Sequence, residues 1–356
     1  MENSSLISML EERGCKLAVR HGKTVAIGLG DGNEAARQID SGCALHWAGT
    51  VYRVAVTGRH RHRFLHNMTT CEFKALEPGM GVFGMVINDS GKLMVQFDAE
   101  CDHERLVLEV ASLDDAQRMV EQLKKYIIAD DVKFAEAKAC DRLSVIGQGA
   151  DAVIGALGFD SVPAAEHGWF DATIDGIGCR VRRNCLRLGV PGWDISTEFE
   201  GSAKVLASLE QHGAHFVGFD AWEYLRISYG WPISPADFGD ENIPLEADRL
   251  AATINWDKGC YIGQEVIAMM HYRGRPNKHL GRIEFTSAPS GYEPGLALAA
   301  ENGKSVGKLG TITESPDGGW VGLAVVKRRY AEDESKFCTP CGAEGTYRRF
   351  PKYVVE

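Results

Sequence analysis

The fold class is decided by the stretch TVYRVAVTGRHRHRFLHNMTT, residues 50–70, in which a strand runs directly into a helix. Residues 50–58 show the alternation of a strand, and residues 59–70 show the spacing of a helix. The sequence that follows predicts strands at 80–86, 93–97 and 106–110, a helix at 112–127 and a strand at 131–135. This β-α-β-β-β-α-β order is typical of an antiparallel sheet with helices on one face, so we predict an α+β fold.

The remainder of the chain falls into two parts of different texture. The middle part again mixes strands, at 142–146, 177–183 and 186–190, with helices, at 150–157, 201–212 and 220–229. After Gly274 the segments HLGRIEF, SVGKLGTIT and GWVGLAVVK are short, β-rich and separated by Gly/Pro turns. We therefore predict a small C-terminal β-barrel or sandwich and a domain boundary near residues 274–279.

Composition and charge restrict the classes of function. The 356 residues are 44% hydrophobic and 25% charged, which is typical of a globular protein. A net charge of −10 argues against a general polyanion binder, so we expect no direct nucleic-acid binding. A local basic patch is still compatible with this net charge. The sequence contains no apolar run of 18 or more residues, and residues 1–14 lack a basic signal-peptide region. We therefore expect no membrane span and a cytoplasmic location.

Ten cysteines are scattered along the chain, with one close pair at Cys338 and Cys341. In a reducing compartment most of them are expected to be small buried thiols. A structural zinc site needs four ligands, and no second Cys-x-x-Cys pair accompanies Cys338 and Cys341. We therefore predict no metal site at this pair.

Residues 147–149, Gly-Gln-Gly, resemble a dinucleotide-binding turn between a strand and a helix. The surrounding strands are not arranged as repeated parallel βαβ units, and a tight turn needs glycine for steric reasons alone. A steric role is the favoured interpretation.

Residues 59–66, RHRHRFLH, contain three histidines and three arginines. His62 and His66 have the i, i+4 spacing of a shared metal site, but no third ligand is evident nearby. The segment is interpreted as the solvated face of a helix, or else as a basic rim for an anionic ligand.

Residues 257–265, DKGCYIGQE, form the strongest candidate for a chemical site. Glycines on both sides of Cys260 allow an exposed loop, and Gln264 begins a predicted helix that extends to His271. The helix N-terminus and Lys258 both favour a thiolate at Cys260. A buried cysteine packed against its neighbours is the alternative.

The segment DKGCYIGQE resembles the signature of the YgfZ family of folate-binding proteins, which are similar to the T-protein (aminomethyltransferase) of the glycine cleavage system. Three further segments resemble the family in order and spacing: VTGRHRHRFLHNMTT, GVFGMVINDSGKLMVQF and AWEYLRISYGWPISPADFGDENIPLEADRL. The resemblance covers roughly residues 40–356.

The resemblance implies three domains in a ring around a central cavity that binds tetrahydrofolate. The expected domains are a discontinuous folate-binding domain of antiparallel-sheet sandwiches at 1–50 and 137–274, a ferredoxin-like domain at 51–136 and a β-barrel domain at 275–356. It also implies a role in assembling or repairing iron–sulfur clusters, with iron–sulfur enzymes or assembly factors as partners.

The resemblance also assigns roles to residues. The reactive site would comprise Cys260 with Lys258, Gln264 and Glu265. The folate-binding residues would be Glu246, Arg226, Phe83 and Arg273. For Glu246 a helix-capping role, and for Arg226 an ion pair, are the alternatives.

The T-protein carries a carboxylate in an Ile-x-Asp-Asp stretch, where this chain has Leu93-Met94-Val95-Gln96. A group without a titratable proton cannot act as a general acid or base, so we expect no glycine-cleavage chemistry. The leading hypothesis is a tetrahydrofolate-binding accessory protein, and the first alternative is a tetrahydrofolate-dependent aminomethyl- or methyltransferase. A non-catalytic interaction module that has lost the ligand is the second alternative.

Overall fold

A computed structural model describes residues 5–28, 32–159, 161–185 and 187–351. The ends of the predicted terminal domains and the first residue of the strand predicted at 186–190 lie outside these residues. The chain forms two compact units, which we describe separately. The first unit comprises Met1–His66, Glu72–Gly84 and Phe97–Trp222, and the second comprises Asn67–Cys71, Met85–Gln96 and Glu223–Glu356.

The first unit is built from helices around a large sheet, with a two-stranded sheet formed by its first two strands. Its elements, some of which end in the second unit, are α1 (Ser5–Glu12), β1 (Lys16–Arg20), β2 (Lys23–Ile27), α2 (Gly32–Ser41), β3 (Ala44–Thr57), α3 (Arg61–Met68), β4 (Gly81–Ile87), β5 (Leu93–Cys101), β6 (Leu106–Val110), α4 (Leu113–Lys124), β7 (Lys133–Phe134), β8 (Lys138–Ile146), α5 (Ala150–Ala156), β9 (Trp169–Ile174), β10 (Ile177–Arg183), β11 (Gly192–Thr197), α6 (Ser202–Gln211), β12 (His215–Phe216) and α7 (Phe219–Tyr229).

The large sheet has ten strands, eight of them in the order β4-β5-β6-β3-β8-β11-β10-β9, while β7 and β12 also pair with β3. The long strand β3 is central, because it pairs antiparallel with both β6 and β8. One side of the sheet carries the apolar core, which includes Leu45, Val145, Trp193 and Leu206. The predicted α+β class is therefore confirmed.

The strand and helix order predicted from residues 50–135 also agrees with the structure. The predicted cap of α4 is present, because Ser112 Oγ accepts a hydrogen bond from the backbone N–H of Asp115 at 3.0 Å. The strand predicted at 186–190 is wrong for its described residues, since residues 187–189 form a turn and the strand is β11. The predicted domain boundary at residues 50 and 51 falls inside β3, and the three-domain division stays a prediction.

Another group of side chains on this sheet is charged and buried. Strand pairing places Arg182 opposite Asp194, and places Glu109 opposite both Arg53 and Asp98. Arg182 is 2% exposed and lies 3.1–3.4 Å from four carboxylates, which belong to Asp98, Glu100, Glu109 and Asp194. Arg142 and Arg187 join the same network. Each carboxylate is therefore compensated in a region where an isolated charge would be very unfavourable.

After α7, the described residues of the second unit form two 3-10 helices, the four-residue α8, the ten-residue α9 and a closed barrel. The remaining elements are a 3-10 helix (Pro244–Glu246), α8 (Asp248–Ala251), α9 (Gln264–Arg273), β13 (Lys278–Phe285), β14 (Leu296–Ala299), β15 (Ser305–Glu314), β16 (Trp320–Lys327), a second 3-10 helix (Arg328–Tyr330), β17 (Lys336–Cys338) and β18 (Glu344–Arg349). The barrel closes in the order β13-β16-β15-β14-β17-β18 around a core that includes Ile283, Leu298, Leu309 and Tyr347. The predicted C-terminal β-barrel is therefore confirmed.

None of the helices in the described ranges is long and apolar enough to cross a membrane.

Candidate functional site

The loop at residues 257–263, which we call the signature loop, leads into α9 in the second unit. Cys260 is exposed on this loop. Of the other nine cysteines, six are buried, Cys185 and Cys338 are half-buried and Cys341 is exposed. The local conformation thus presents the Cys260 thiol to solvent.

Lys258 lies two residues before Cys260 and points in the opposite sense, into the protein. Its side chain is 7% exposed, and Nζ donates hydrogen bonds to the carbonyl oxygens of Thr69, at 2.7 Å, and Cys71, at 2.5 Å. The segment 69–71 is itself fixed, because the Thr70 carbonyl accepts from the Asn255 N–H at 3.0 Å. Lys258 therefore attaches the signature loop to a second, fixed segment, and its charge is engaged by these carbonyls.

Tyr261 is buried next to this lysine, with Lys258 Nζ 5.0 Å from the ring centroid. Burial raises the pKa of its hydroxyl to about 12, so the phenol is neutral at physiological pH. Among the described residues the hydroxyl has no hydrogen-bond partner. A buried, unpartnered hydroxyl is unfavourable, and a bound ligand or water would satisfy it.

Gly263 caps α9 in the left-handed region, at φ 75°. A Cβ atom here would lie 2.3 Å from the carbonyl oxygen of Asn88, in the turn of the β4–β5 hairpin. The same turn contains Gly91, whose Cβ would lie 3.2 Å from Val266 Cβ. The glycine of the signature is therefore required both by its backbone conformation and by close packing.

Glu246 is 4% exposed and ends the 3-10 helix Pro244–Glu246. Its Oε2 accepts a hydrogen bond from Asn242 Nδ2 at 2.8 Å, and the Asn242 carbonyl accepts from the Leu93 N–H at 2.9 Å. No hydrogen bond to Oε1 is formed within the described residues. The carboxylate thus keeps one acceptor atom available, and it does not cap α8, whose N-cap Ala247 has no side-chain hydrogen bond.

The strand that begins at Leu93 carries the positions at which the T-protein resemblance expected an acid. Val95 is fully buried, and Gln96 Nε2 donates to the Pro232 carbonyl at 3.3 Å. The next carboxylate along β5, Asp98, belongs to the first unit and pairs with Arg182 and Arg187. The acid is therefore missing at the matching positions, and Asp98 is already engaged in ion pairs.

Arg226 was expected to bind folate or to form an ion pair, and the structure favours the ion pair. Its five N–H groups donate to Glu223 (twice), Asp237, the Trp231 carbonyl and Thr311, at 2.5–3.0 Å. The side chain is 3% exposed. Because every donor is used, none is left for a ligand carboxylate.

The other predicted site residues are distributed as follows. Gln264 is half-buried and Glu265 is exposed in the first turn of α9, and Arg273 is exposed in its last turn. Phe83 is buried in β4 and belongs to the first unit. The structure thus brings Cys260, Lys258, Gln264 and Glu265 together by chain continuity, while Glu246 lies on a separate element of the same unit.

The histidine-rich segment at residues 59–66 is occupied by contacts within the first unit. His62 Nδ1 lies 2.8 Å from the Phe73 carbonyl, and His66 Nδ1 lies 2.8 Å from Glu72 Oε1. Arg59 and Arg63 form ion pairs with Asp131 and Asp130 respectively. These ion pairs offset the charge expected of a basic rim.

The Gly-Gln-Gly turn connects β8 to α5 and has a steric explanation. Gly147 has φ 128°, and a Cβ atom there would lie 2.7 Å from the Gly42 carbonyl oxygen. Glycine is therefore needed for close packing of the backbone, in agreement with the favoured interpretation.

Cys341 is a second exposed thiol, in the second unit. A hydrogen bond from Thr339 lowers its pKa below the ordinary value. In the part of the chain that the structure describes, no group of three or more His, Cys, Asp or Glu residues is arranged to hold a metal ion. Because it is exposed and its pKa is lowered, Cys341 is the natural competitor of Cys260 for thiol reagents.

The buried charge network of the first unit was not predicted from the sequence. A cavity of about 610 Å³ in the same unit has Arg53, Arg180, Cys140 and Cys179 in its lining. Both arginines pair with Glu100, so the cavity has no uncompensated charge from them. Burial raises the pKa of Cys140 to about 12, which makes its thiol a poor nucleophile.

Comparison with known proteins places this geometry in a family. Residues 32–258 match the GCVT N-terminal domain. A protein of Arabidopsis thaliana named "Putative transferase", chloroplastic, is 31% identical over 306 residues, which cover 84% of this chain and 68% of that protein. The tRNA-modifying protein YgfZ of Vibrio vulnificus (strain CMCP6) is 26% identical over 304 residues, which cover 84% of this chain and 88% of that protein.

A solved structure gives an independent view of the fold. Glycine cleavage system aminomethyltransferase T from Bartonella henselae superposes with a TM-score of 0.81, covering 98% of this chain and 97% of that chain at 17% identity. At this identity the likeness concerns the fold alone. The chain therefore belongs to the family defined by the GCVT domain and, within it, to the YgfZ-like proteins, as its signature predicted.

Proposed function

We propose that this chain is a tetrahydrofolate-binding accessory protein for the assembly or repair of iron–sulfur clusters, with Cys260 as its reactive residue. The observation that carries the proposal is the exposed Cys260 thiol on a loop that Lys258 and Gly263 hold in place. A thiol presented in this way is open to a partner protein or to iron. The expected partners are iron–sulfur enzymes or assembly factors.

The folate part of the proposal is supported by Glu246 and by membership of a folate-related family. A pterin ring presents an amine and a ring N–H side by side, and a carboxylate accepts such a pair well. Glu246 is buried and retains Oε1 as an acceptor, so its chemistry fits the ring. Phe83 and Arg273 remain proposed contacts for the ring and for the anionic tail.

The accessory role is favoured over one-carbon chemistry because Val95 and Gln96 carry no titratable proton. The N-terminus of α9 directly follows the signature loop, and a helix N-terminus favours an anionic partner at this place. One cysteine cannot hold a cluster alone. Cluster binding would therefore require ligands from a partner or an exogenous thiol.

The reactivity of Cys260 is tested by limiting iodoacetamide at neutral pH, with mass-spectrometric quantification of every cysteine. We expect Cys260 to be labelled faster than Cys15 and Cys338, with Cys341 as the internal competitor. Labelling of Cys260 no faster than Cys15 would contradict its activation. In cells lacking the protein, full restoration of iron–sulfur enzyme activity by Cys260→Ser would contradict a functional role.

Folate binding is tested by anaerobic calorimetric titration with tetrahydrofolate and its methylene and formyl forms. Loss of a charged hydrogen-bond partner costs about 1.5–3 kcal/mol, so Glu246→Ala should weaken binding roughly 10- to 150-fold. Asp317→Ala, which removes an exposed carboxylate, is the matched control. Unchanged affinity in Glu246→Ala would remove Glu246 from the site.

A second candidate function is a tetrahydrofolate-dependent aminomethyl- or methyltransferase, which the name of the Arabidopsis relative favours. We expect no methylene transfer from an aminomethylated lipoyl carrier to tetrahydrofolate. Transfer above a no-enzyme control would establish this second function and overturn the accessory role as the sole activity.

A further inference from the structure

The second unit carries a concentration of cations and aromatic rings of which the proposed function uses only Arg273. It consists of residues 271–275 (His-Tyr-Arg-Gly-Arg), Trp256 and residues 328–329 (Arg-Arg), and we call it the basic–aromatic surface. The only acidic residue of α9, Glu265, lies in its first turn, and residues 266–279 contain none. The surface is thus locally positive in a chain whose net charge is −10.

The barrel brings the two arginine-containing segments together. Strands β13 and β16 pair antiparallel with Lys278 opposite Lys327, and the Arg328 N–H donates to the Asn277 carbonyl at 2.8 Å. The strand pair therefore has one end from which both segments, residues 273–275 and residues 328–329, extend. Cations that are about 50 residues apart in sequence become neighbours by this pairing.

The arginines of this surface have no ion-pair partner among the described residues. Arg273, Arg275, Arg328 and Arg329 are all exposed, and no salt bridge to a described carboxylate involves them. By contrast, Arg182 and Arg226 are buried and form ion pairs with carboxylates. Unpaired guanidinium groups on an exposed surface retain their donors for an external anion.

Aromatic rings are exposed beside these cations. Trp256 stacks on His271 at 3.8 Å with an interplanar angle of 20°, and Tyr272 packs edge-on to His271 at 4.8 Å. His271 is exposed, and Tyr272 is 69% exposed. Aromatic rings are normally buried in a folded protein, so the exposed ring of Tyr272 is available to stack on a planar ligand.

We propose that the basic–aromatic surface binds an unpaired strand of nucleic acid, with bases stacked on the exposed rings and phosphates held by the arginines. Single-stranded sites combine these two features, because every base has a π-face and every nucleotide carries a phosphate. An acidic protein segment would form ion pairs with the arginines but would not stack on the exposed aromatic rings. The negative charge of the whole chain excludes general polyanion binding and leaves this local site. The proposal does not depend on Cys260, and Arg273 is the one residue that it shares with the proposed folate site.

The test is fluorescence anisotropy of the full-length chain with labelled, unstructured 12-nucleotide RNA and DNA strands, at 50 and 200 mM salt. We expect saturable binding that Arg275→Ala/Arg328→Ala/Arg329→Ala weakens at least 10-fold. Each phosphate contact on a single strand contributes about 0.7 to the slope of log affinity against log salt, so the slope should fall by about 2. The matched control is Lys16→Ala/Arg20→Ala/Lys74→Ala, which removes three exposed cations from the first unit.

A second pair of variants tests stacking without changing charge. Tyr272→Ala should weaken binding about 5-fold or more, and Tyr272→Phe should retain it. The ratio of RNA to DNA affinity identifies which strand the surface takes. No binding of either strand at 50 mM salt, or equal losses in the test and control triple variants, would overturn the proposal. Binding of polyglutamate that the triple arginine variant weakens, with no binding of nucleic acid, would also overturn the proposal, in favour of an acidic protein partner for the basic–aromatic surface.

Discussion

Arg182 in the first unit and Lys258 in the second are both buried cations, but their surroundings are opposite in kind. Arg182 lies among four carboxylates, which belong to residues of strands β5, β6 and β11. Lys258 donates to two neutral backbone carbonyls of one segment. Removal of Arg182 would leave buried negative charge, whereas removal of Lys258 would leave unpaired carbonyl groups. The two sites should therefore differ in the size and in the pH dependence of their contributions to stability.

The largest effect is expected for Arg182→Met. Removing one partner from a buried ion network leaves uncompensated charge, which costs about 3–5 kcal/mol of unfolding free energy. Chemical denaturation, followed by the fluorescence of the buried Trp47 and Trp193, measures the loss. Arg105→Met is the control, since its exposed ion pair with Asp102 should be worth less than about 1 kcal/mol. Equal losses in the two variants would contradict the account of the network.

Acid should weaken the first unit for the same reason. Burial alone would raise the pKa of Glu109, but the guanidinium groups of Arg182, Arg142 and Arg53 lower it to about 2. Because the pKa of Glu109 is lower in the folded state, its ionisation stabilises the fold fully at pH values above the ordinary pKa of about 4.5. This stabilisation is lost as the pH falls toward 2. We expect a loss of about 2 kcal/mol between pH 5 and pH 3, measured by denaturation at pH 5, 4 and 3. Glu109→Gln should flatten the dependence, and an unchanged profile would show that Glu109 does not cause it.

A smaller loss is expected for Lys258→Met. Its two carbonyl partners would become unsatisfied, which costs about 1–3 kcal/mol, and the cost should not depend on pH between 5 and 3. Denaturation of the second unit, monitored by hydrogen exchange of residues 69–71, measures it. A loss that equals that of Arg182→Met at neutral pH, or that shrinks as the pH falls, would place a carboxylate next to Lys258.

The smallest effect is expected on the chemistry of Cys260. Because the Lys258 ammonium is engaged by the carbonyls of Thr69 and Cys71, its removal should change the labelling rate of Cys260 less than about 3-fold. Limiting iodoacetamide with mass spectrometry compares Lys258→Met with the unsubstituted protein. A loss of 10-fold or more would restore the sequence-based expectation that this lysine activates the thiol directly.

The same contrast explains what could be predicted from the sequence. The signature loop and the start of α9 are contiguous in sequence, and the turn with Gly91 is itself a local motif, so local patterns were sufficient to find them. The Arg182 network was missed because its members are ordinary charged residues until strand pairing brings them together. Of the partners of Arg226, Glu223 lies three residues away on the same helix, whereas Thr311 is 85 residues away.

The start of β3 was misjudged for a related reason. The predicted strand began at residue 50, whereas β3 begins at Ala44. In the structure Gly49 has φ 75° and lies at a register shift between Trp47 and Thr50, and the strand continues through it. A bulge and a strand end have the same local sequence, and only the pairing partners on both sides distinguish them.

The separation of Asp98 from Asp194 also has a consequence for synthesis. A ribosome adds about 5–20 residues per second, so roughly 5–20 s pass between the emergence of the two carboxylates. During this interval the nascent chain presents carboxylates and guanidinium groups to water that the finished fold conceals. Charged strands remain hydrated and resist pairing with other unfinished chains, whereas apolar strands of the same length would aggregate. The network that stabilises the finished sheet is thus also a solubilising feature of the growing polypeptide.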